Sequence, residues 1–389
     1  MNKIIGGVNG SRIETLFAMN NFPDTGIQRA IVWILNRWDV ETYGTVGLCV
    51  HNTSGSFYKF LRKDIPIFEL DRKITPIKKI AFFTRLFAYF PLLREINPKK
   101  VIAVNPGESM ALCWVKRFNK NFRLIVSENF HVSSAMSAAD SHPGWFGWYY
   151  RTFLSREYAK YADVVHVVSK EGAEDLIKNH GIPSGKIRVV YNPVNRDDLK
   201  KSSVEAVDED WLADGNSTVV SASRISAQKR IDVLLRAWEI VKNHPEAKPY
   251  KLIICGDGPL LGRMKELSAK ISVGDSVKFI GFQSNPWKFM SRARLFVSAS
   301  EWEGLSLSLI EAEALGVPIV ASDCPSGNKE ILMNGEAGFL FENKNAEDCA
   351  QKILLAMENA ELCRRKAKIG SENIERFELE NIVRQYAEL

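Results

Sequence analysis

Ser300-Glu301-Trp302-Glu303-Gly304-Leu305-Ser306-Leu307-Ser308-Leu309-Ile310-Glu311 is the stretch that decides how this chain folds. An apolar run, Arg294–Ser298, precedes it and reads as a strand. A helix follows and ends near Leu315-Gly316, where glycine suits the C-cap and Pro318 blocks continuation. A second strand is expected at Pro318–Ser322. Strand, turn, helix and strand in that order are the repeating unit of a parallel sheet. Within the unit, Gly304 allows close backbone approach and Ser306 can cap the helix. The first-turn N–H groups, reinforced by the helix dipole, form an anion site. Glu303 stands just before that site and Glu311 about two turns inside the helix. A diphosphate at the helix start would leave one carboxylate near each of its ends. Carboxylates accept hydrogen bonds from paired hydroxyls, so a sugar on one side and a ribose on the other makes chemical sense. Taken alone, the same spacing also describes a solvated loop glutamate and an ordinary helix glutamate.

The same rhythm runs through the 389 residues. Strands are expected near Glu14–Met19, Thr45–Val50, Lys100–Val104, Arg123–Ser127, Asp163–Ser169 and Ile187–Tyr191. A second set is expected at Ser217–Ala222, Lys251–Cys255 and Val277–Ile280, besides the two already named. These runs are apolar throughout rather than alternating, as in parallel sheets covered on both faces. Helix-length segments separate them. The expected fold is therefore α/β, with two doubly wound domains, 1–194 and 195–374. Asn192-Pro193 ends the first. The charged stretch Asn195–Asn216 suits a linker or a loosely packed connection. In such sheets ligands sit beyond the carboxyl ends of the strands, so two facing sheets would make a cleft.

The motifs, in order and spacing, resemble family 4 of the glycosyltransferases, retaining enzymes of the two-domain GT-B fold, over nearly the whole chain. Glu303 and Glu311 match that family's E-x7-E signature. Ser223-Arg224-Ile225-Ser226-Ala227-Gln228-Lys229-Arg230 resembles its phosphate loop, and Cys255-Gly256-Asp257-Gly258-Pro259 its GxGP turn. Phe279-Ile280-Gly281-Phe282 is similar to its nucleobase-side segment. Asp323 to Leu332 is similar to its acceptor-side E-I-L loop, with Asn328 where a proline is usual. Asn334-Gly335-Glu336-Ala337-Gly338, Ser169-Lys170 and Tyr191-Asn192-Pro193-Val194 match as well. The resemblance implies that Arg224 and Lys229 hold the diphosphate, where fixed cations stabilise the charge on a departing nucleotide. It implies that Glu303 contacts the donor sugar and Glu311 the ribose. The backbone of Gly304, Leu305, Ser306 and Leu307 would bind phosphate, with Gly256, Gly258 and Ile280 around the nucleotide. Gly26, in Asp24-Thr25-Gly26-Ile27-Gln28-Arg29, matches a glycine-rich loop that is usually a Gly pair; a structural turn is the alternative. A sugar-contacting histidine is expected after Arg123–Ser127. There the chain reads Ser127-Glu128-Asn129-Phe130-His131, so His131 or Asn129 takes that place. The C-terminal segment 375–389, with its stripe Phe377, Ile382, Val383 and Tyr386, would return to the first domain.

The implied reaction is transfer of a hexose-type sugar from a nucleotide-sugar, UDP ahead of GDP, to a glycan or lipid-linked acceptor of bacterial surface polysaccharide or lipopolysaccharide. Front-face substitution is favoured, because double displacement needs two carboxyls about 5–5.5 Å apart and Glu303 and Glu311 should flank the donor. Two alternatives share the features: a sugar-nucleotide epimerase, and a non-catalytic sugar-nucleotide-binding module. A nicotinamide dehydrogenase is disfavoured, since Gly256-Asp257-Gly258 lacks the G-x-G-x-x-G continuation. No metal or other cofactor is expected. Asp208-Glu209-Asp210 falls in the charged stretch and reads as solvated surface. The six cysteines form no CxxC pair, and Met1 to Arg12 hold no apolar run of signal-peptide length, so no secretion signal is expected and a reducing cytoplasm fits. The net charge of +6 is compatible with an anionic ligand or a membrane surface. No nucleic-acid partner is expected. Pro76–Phe90 reads as a helix stopped near Pro91, with two apolar stripes, Ile80/Phe83/Phe87/Phe90 and Phe82/Leu86/Tyr89. Lys78 and Arg85 lie beside the second stripe. That pattern suits a helix on an anionic membrane at the inner face of the cell membrane, or a core helix covering a sheet.

Overall fold

The computed structural model describes residues 3–5, 12–22, 25–70, 81–137, 144–213, 217–245 and 250–389, with side chains for all but 3–5, 81–85 and 144–151. The chain divides into two compact units, Met1–Pro193 with Leu379–Leu389, and Val194–Glu378.

The first unit is built on an eight-stranded sheet among the described residues. Its strands are β1 (Lys3–Ile5), β2 (Thr15–Met19), β3 (Val46–Val50), β4 (Ile67–Glu69), β5 (Lys100–Ala103), β6 (Arg123–Glu128), β7 (Val164–Val167) and β8 (Ile187–Val189). Their order is β1-β4-β3-β2-β5-β6-β7-β8. All neighbours are parallel except β1, which runs antiparallel beside β4 with Ile4 opposite Phe68. The side chains of β2, β3 and β7 are buried along their whole length, so both faces of the sheet are covered. The order reverses between β2 and β5, which makes that gap the switch point.

The second unit carries β9 (Thr218–Ala222), β10 (Lys251–Cys255), β11 (Val277–Phe279), β12 (Leu295–Ser298), β13 (Ile319–Asp323) and β14 (Phe339–Glu342). This sheet is parallel throughout, in the order β11-β10-β9-β12-β13-β14. Its switch point lies between β9 and β12. The core on one face packs Val219, Leu252, Leu295 and Val320 under Leu234, Trp238 and Ile353.

Three expectations change. The charged stretch after Asn195 is not loose. Arg196–Ser203 is a helix whose N-cap, Asn195, accepts from the Asp198 N–H at 3.2 Å. Asp197 and Asp198 sit in its first turn and Lys200 and Lys201 in its last, the order the helix dipole favours. Leu199 and Leu212 are buried. Glu209 is not solvated either: its side chain is 6% exposed and pairs with Lys278 at 2.9 Å.

Second, the helix expected to stop near Pro91 spans Ala81–Ile96. Proline removes the N–H that would reach the Phe87 carbonyl. Phe87 is on the outer face, where water can serve that carbonyl instead. Leu86 and Tyr89 of the second stripe are buried with Leu92 and Leu93. That stripe is therefore the core face. Residues 76–80, with Lys78, and the Arg85 side chain lie outside the described residues.

Third, 375–378 belongs with the second unit, where Phe377 is buried and its carbonyl accepts from the Val194 N–H at 2.7 Å. The C-terminal helix is Leu379–Glu388, in the first unit. Its Tyr386 stacks on Phe17 of β2 at 6.2 Å and meets His166 of β7 edge-on at 5.0 Å.

Candidate active site

In the second unit the loops leaving β9 and β12 open on either side of the switch point, and they are tied to each other. The Gln228 side chain donates to the Trp302 carbonyl at 2.8 Å, and the Glu301 N–H donates to the Gln228 carbonyl at 2.8 Å. Between these two bonds Lys229 pairs with Glu303. The Ser300 hydroxyl donates to the same Glu303 oxygen at 2.7 Å. Glu303 is buried, so a partnered charge is the arrangement that burial tolerates. Arg230, on the same loop, adopts a left-handed conformation (φ 44°) and pairs with Asp232 at 2.9 Å and Glu301 at 3.1 Å. Arg224 is exposed, and its guanidinium has no ion pair among the described residues.

The glycines after β10 serve this loop through the backbone. A Cβ on Gly256 would stand 1.9 Å from the Ser223 carbonyl oxygen, and one on Gly258 2.3 Å from that of Ile225. Only residues without a Cβ let the two loops approach this closely. The Ile225 N–H then donates to the Asp257 carbonyl at 2.9 Å. Ile280 ends the β11 side, its N–H donating to the Ile254 carbonyl at 3.1 Å, with Phe282 exposed beyond it.

The helix after β12 spans Leu307–Ala314, with Ser306 at its N-cap. The Ser306 hydroxyl makes no capping bond and faces that of Ser308 at 3.2 Å. The N–H groups of Leu309 and Ile310 both donate to the Ser306 carbonyl at 3.2 Å, whereas those of Leu307 and Ser308 precede the first acceptor the helix itself offers. Gly304, Leu305, Ser306 and Leu307 are all buried. The Gly304 carbonyl accepts from the Gly327 N–H at 3.1 Å, which brings the loop after β13 alongside. Asn328, in the place of the usual proline, is buried and donates to the Ser322 carbonyl at 3.2 Å. Glu311 is the fifth residue of the helix, little more than one turn inside and not two, and it is buried. The helix closes as expected at Gly316 (φ 69°): the Gly316 N–H reaches the Glu313 carbonyl and the Val317 N–H that of Ala312, each at 3.0 Å.

Gly26 and His131 belong to the first unit. Gly26 is the first residue of the helix Gly26–Arg37, behind the N-cap Thr25, whose hydroxyl donates to the Gln28 side chain. That helix follows β2, at the switch point of its own sheet. His131 caps the helix Val132–Ser137. Its Nδ1 accepts from the Ser134 N–H at 3.3 Å and lies 3.8 Å from Asp175. Burial alone would raise the Asp175 carboxyl, but hydrogen bonds from Asn179 and Ser133, with His131 nearby, hold it below its ordinary value. Asn129 follows β6 directly and donates to the Val104 carbonyl beyond β5 at 2.9 Å.

Two features were missed in the sequence. Ser300 stands three residues before Glu303 and was readable as its donor. His51, after β3, and Glu108, in the first turn after β5, form a buried pair at 2.7 Å. The two lie 57 positions apart, so no local pattern announces the pair. Among the described residues no group of three His, Cys, Asp or Glu side chains could hold a metal ion, and the six cysteines are buried and outside any disulfide.

Residues 45–198 match the family description Glycosyltransferase Family 4, and residues 204–373 match Glycosyl transferases group 1. The chain belongs to glycosyltransferase family 4. Among curated relatives it is 30% identical over 197 residues, 51% of each chain, to the N-acetylgalactosamine-N,N'-diacetylbacillosaminyl-diphospho-undecaprenol 4-alpha-N-acetylgalactosaminyltransferase of Campylobacter jejuni. It is 26% identical over 203 residues to the lipopolysaccharide 1,6-galactosyltransferase of Escherichia coli K12, 51% of this chain and 54% of that one. The chain thus spans about half the length of these two relatives. A crystal structure of Anabaena HepE in complex with UDP and glucose superposes with a TM-score of 0.77 at 17% identity, covering 97% of this chain and 98% of that one. The likeness establishes the GT-B fold of two Rossmann-like parallel-sheet halves.

Proposed function

We propose that this family member moves a hexose-type sugar, with retention, from a UDP-sugar to a glycan or lipid-linked acceptor in bacterial surface polysaccharide synthesis. One observation carries the reading. The β9 loop brings Lys229 and Arg224, and the β12 loop brings Glu303 and a helix N-terminus, to the two sides of one switch point. Positive charge then collects where a diphosphate leaves, and a buried carboxylate stands beside it to accept from sugar hydroxyls. Glu311 is assigned to the ribose. Glu303 is committed to Lys229 and Ser300, which suits a binding role rather than a nucleophile's. The departing phosphate itself would take the acceptor proton on the front face. Arg224, Lys229 and the helix N-terminus supply the charge a metal could otherwise supply. The UDP of HepE and the lipid-linked and lipopolysaccharide names of the two relatives favour these substrate classes. Such an acceptor would be met at the inner face of the cell membrane.

The test is a thermal-shift panel of UDP-, GDP-, ADP- and CMP-sugars, because a ligand that binds only the native state raises its stability. UDP release that depends on an added glycan, with a retained anomer by NMR, is the expected result. Isomerised sugar without an acceptor would mean an epimerase. Stabilisation without turnover would mean a binding module.

A further inference from the structure

Two of the most exposed large apolar side chains, Phe118 (72%) and Phe87 (71%), share one face of the first unit. Phe118 follows the helix Pro106–Lys116, and its ring lies 6.1 Å from that of Phe90. Phe87 precedes Phe90 by three positions on the helix Ala81–Ile96, so the two lie on adjoining parts of its surface. Beside Phe118 the chain turns through Lys120 and Asn121 into β6. There Lys116, Lys120, Asn121, Phe122, Arg123 and Asp163 line an open hollow of about 550 Å³. Asp163 is occupied by Lys116 at 2.7 Å. Lys120 and Arg123 are exposed and have no acidic partner among the described residues. The field at this end of the sheet is felt next door: burial, and then the charge on Arg123, bring Lys100 down to about 8.

We infer that this face, presented by Phe87, Phe118, Lys120 and Arg123, docks on an anionic phospholipid surface. Aromatic side chains enter the headgroup boundary while flanking cations meet lipid phosphates. The apolar patch alone would equally fit a second copy of the chain. The cations decide against that, since a symmetric contact would set Lys120 and Arg123 against their own like charges. The surface lies at the amino end of β6, the opposite end from Glu128 and Asn129. It thus differs from the sequence expectation, which rested on Lys78 and Arg85. The inference rests on the lipid-linked reading of the acceptor for its purpose only, because the binding needs neither donor nor acceptor.

The experiment is co-sedimentation of the full chain with vesicles of phosphatidylcholine alone and of phosphatidylcholine mixed with phosphatidylglycerol. Pelleting with the mixed vesicles only, weakened by salt, is the expected result. Lys120→Glu/Arg123→Glu should lower the partition about thirty-fold or more, and Phe87→Ser/Phe118→Ser about tenfold or more. Vesicle composition and salt are read on the unaltered chain, so a variant that misfolds leaves the test intact. Absence of pelleting, equal pelleting on neutral vesicles, or indifference of folded variants would overturn the inference. So would self-association that depends on Phe87 and Phe118 without vesicle binding, which would give the face to a second copy. UDP binding by calorimetry tests the transferase reading separately and should be unchanged in both variants.

Discussion

Replacing Lys229 by methionine separates what the Lys229–Glu303 pair does for the fold from what it does for the reaction. The lysine side chain is 19% exposed and the glutamate 8%, so the substitution strands a nearly buried carboxylate. Removing one partner of a buried ion pair costs about 3–5 kcal/mol. Here Ser300 still donates to Glu303 at 2.7 Å and part of the lysine is in water. The expected loss is therefore smaller, about 2–3 kcal/mol. Hydrogen exchange of the β9 and β12 amides would report it on the second unit. The double variant Lys229→Met/Glu303→Gln leaves no charge stranded, and its stability should return to within about 1 kcal/mol of the parent. Activity should not return. A fixed cation at a departing diphosphate contributes about 10²–10³-fold in kcat, so both variants should transfer sugar slowly. If the double variant recovered kcat together with stability, the pair would be a fold element and the phosphate role of Lys229 would be wrong.

Arg224→Ala and Glu311→Ala should each weaken UDP binding by about 1.5–3 kcal/mol, the worth of a charge-assisted hydrogen bond; unchanged calorimetric affinity in both would remove the donor-site assignment. Transfer should persist in EDTA, and loss restored by a divalent ion would place the phosphate charge on a metal. His166 is fully buried, which lowers it to about 4 against the opposing pull of the Val190 carbonyl. It stays neutral in the fold, while the unfolded chain takes up a proton below about 6.5. Its contribution is therefore present above about 6.5 and is lost as pH falls toward 4, about 3 kcal/mol across that window. Protection of the β7 amides should fall on acidification and fall less in His166→Gln; equal slopes in the two proteins would refute it.

Strands buried on both faces announced themselves. Val46–Val50 and Lys251–Cys255 are apolar at nearly every position, and the sheet order needs just such strands. The strands the sequence hid are short or lie at an edge. Lys3–Ile5 and Ile67–Glu69 have three residues each and are bounded in the sequence by Gly6 and Pro66, whereas the equally short Ile187–Val189 and Val277–Phe279 sit in the longer runs Ile187–Tyr191 and Val277–Ile280. Phe339–Glu342 lies at the sheet edge and alternates between buried and more exposed positions, unlike the continuous runs beside it. The helix Arg196–Ser203 was hidden by composition. Its charges look like a linker's until their order along the dipole is read, with acids first and bases last.

The site was legible where chemistry and chain coincide. Glu303, Gly304, Ser306 and Glu311 occupy one turn and one helix, so spacing in the sequence is spacing on that element. The partnership of Lys229 with Glu303 joins positions 74 residues apart, and only the switch-point rule, with Arg224 and Lys229 after one strand and Glu303 after the next but two, makes it foreseeable. The first unit offers no such guide. The expected histidine is a cap at His131, with its Nδ1 turned to Ser134, while Asn129 holds the end of β6 against that of β5. If the contact to the donor sugar is made from this end of β6, the side chain nearer the switch point is Asn129. Asn129→Ala should then slow transfer more than His131→Gln, whose effect should be confined to the stability of the helix it caps. The reverse order in kcat, with both variants folded, would return the role to His131.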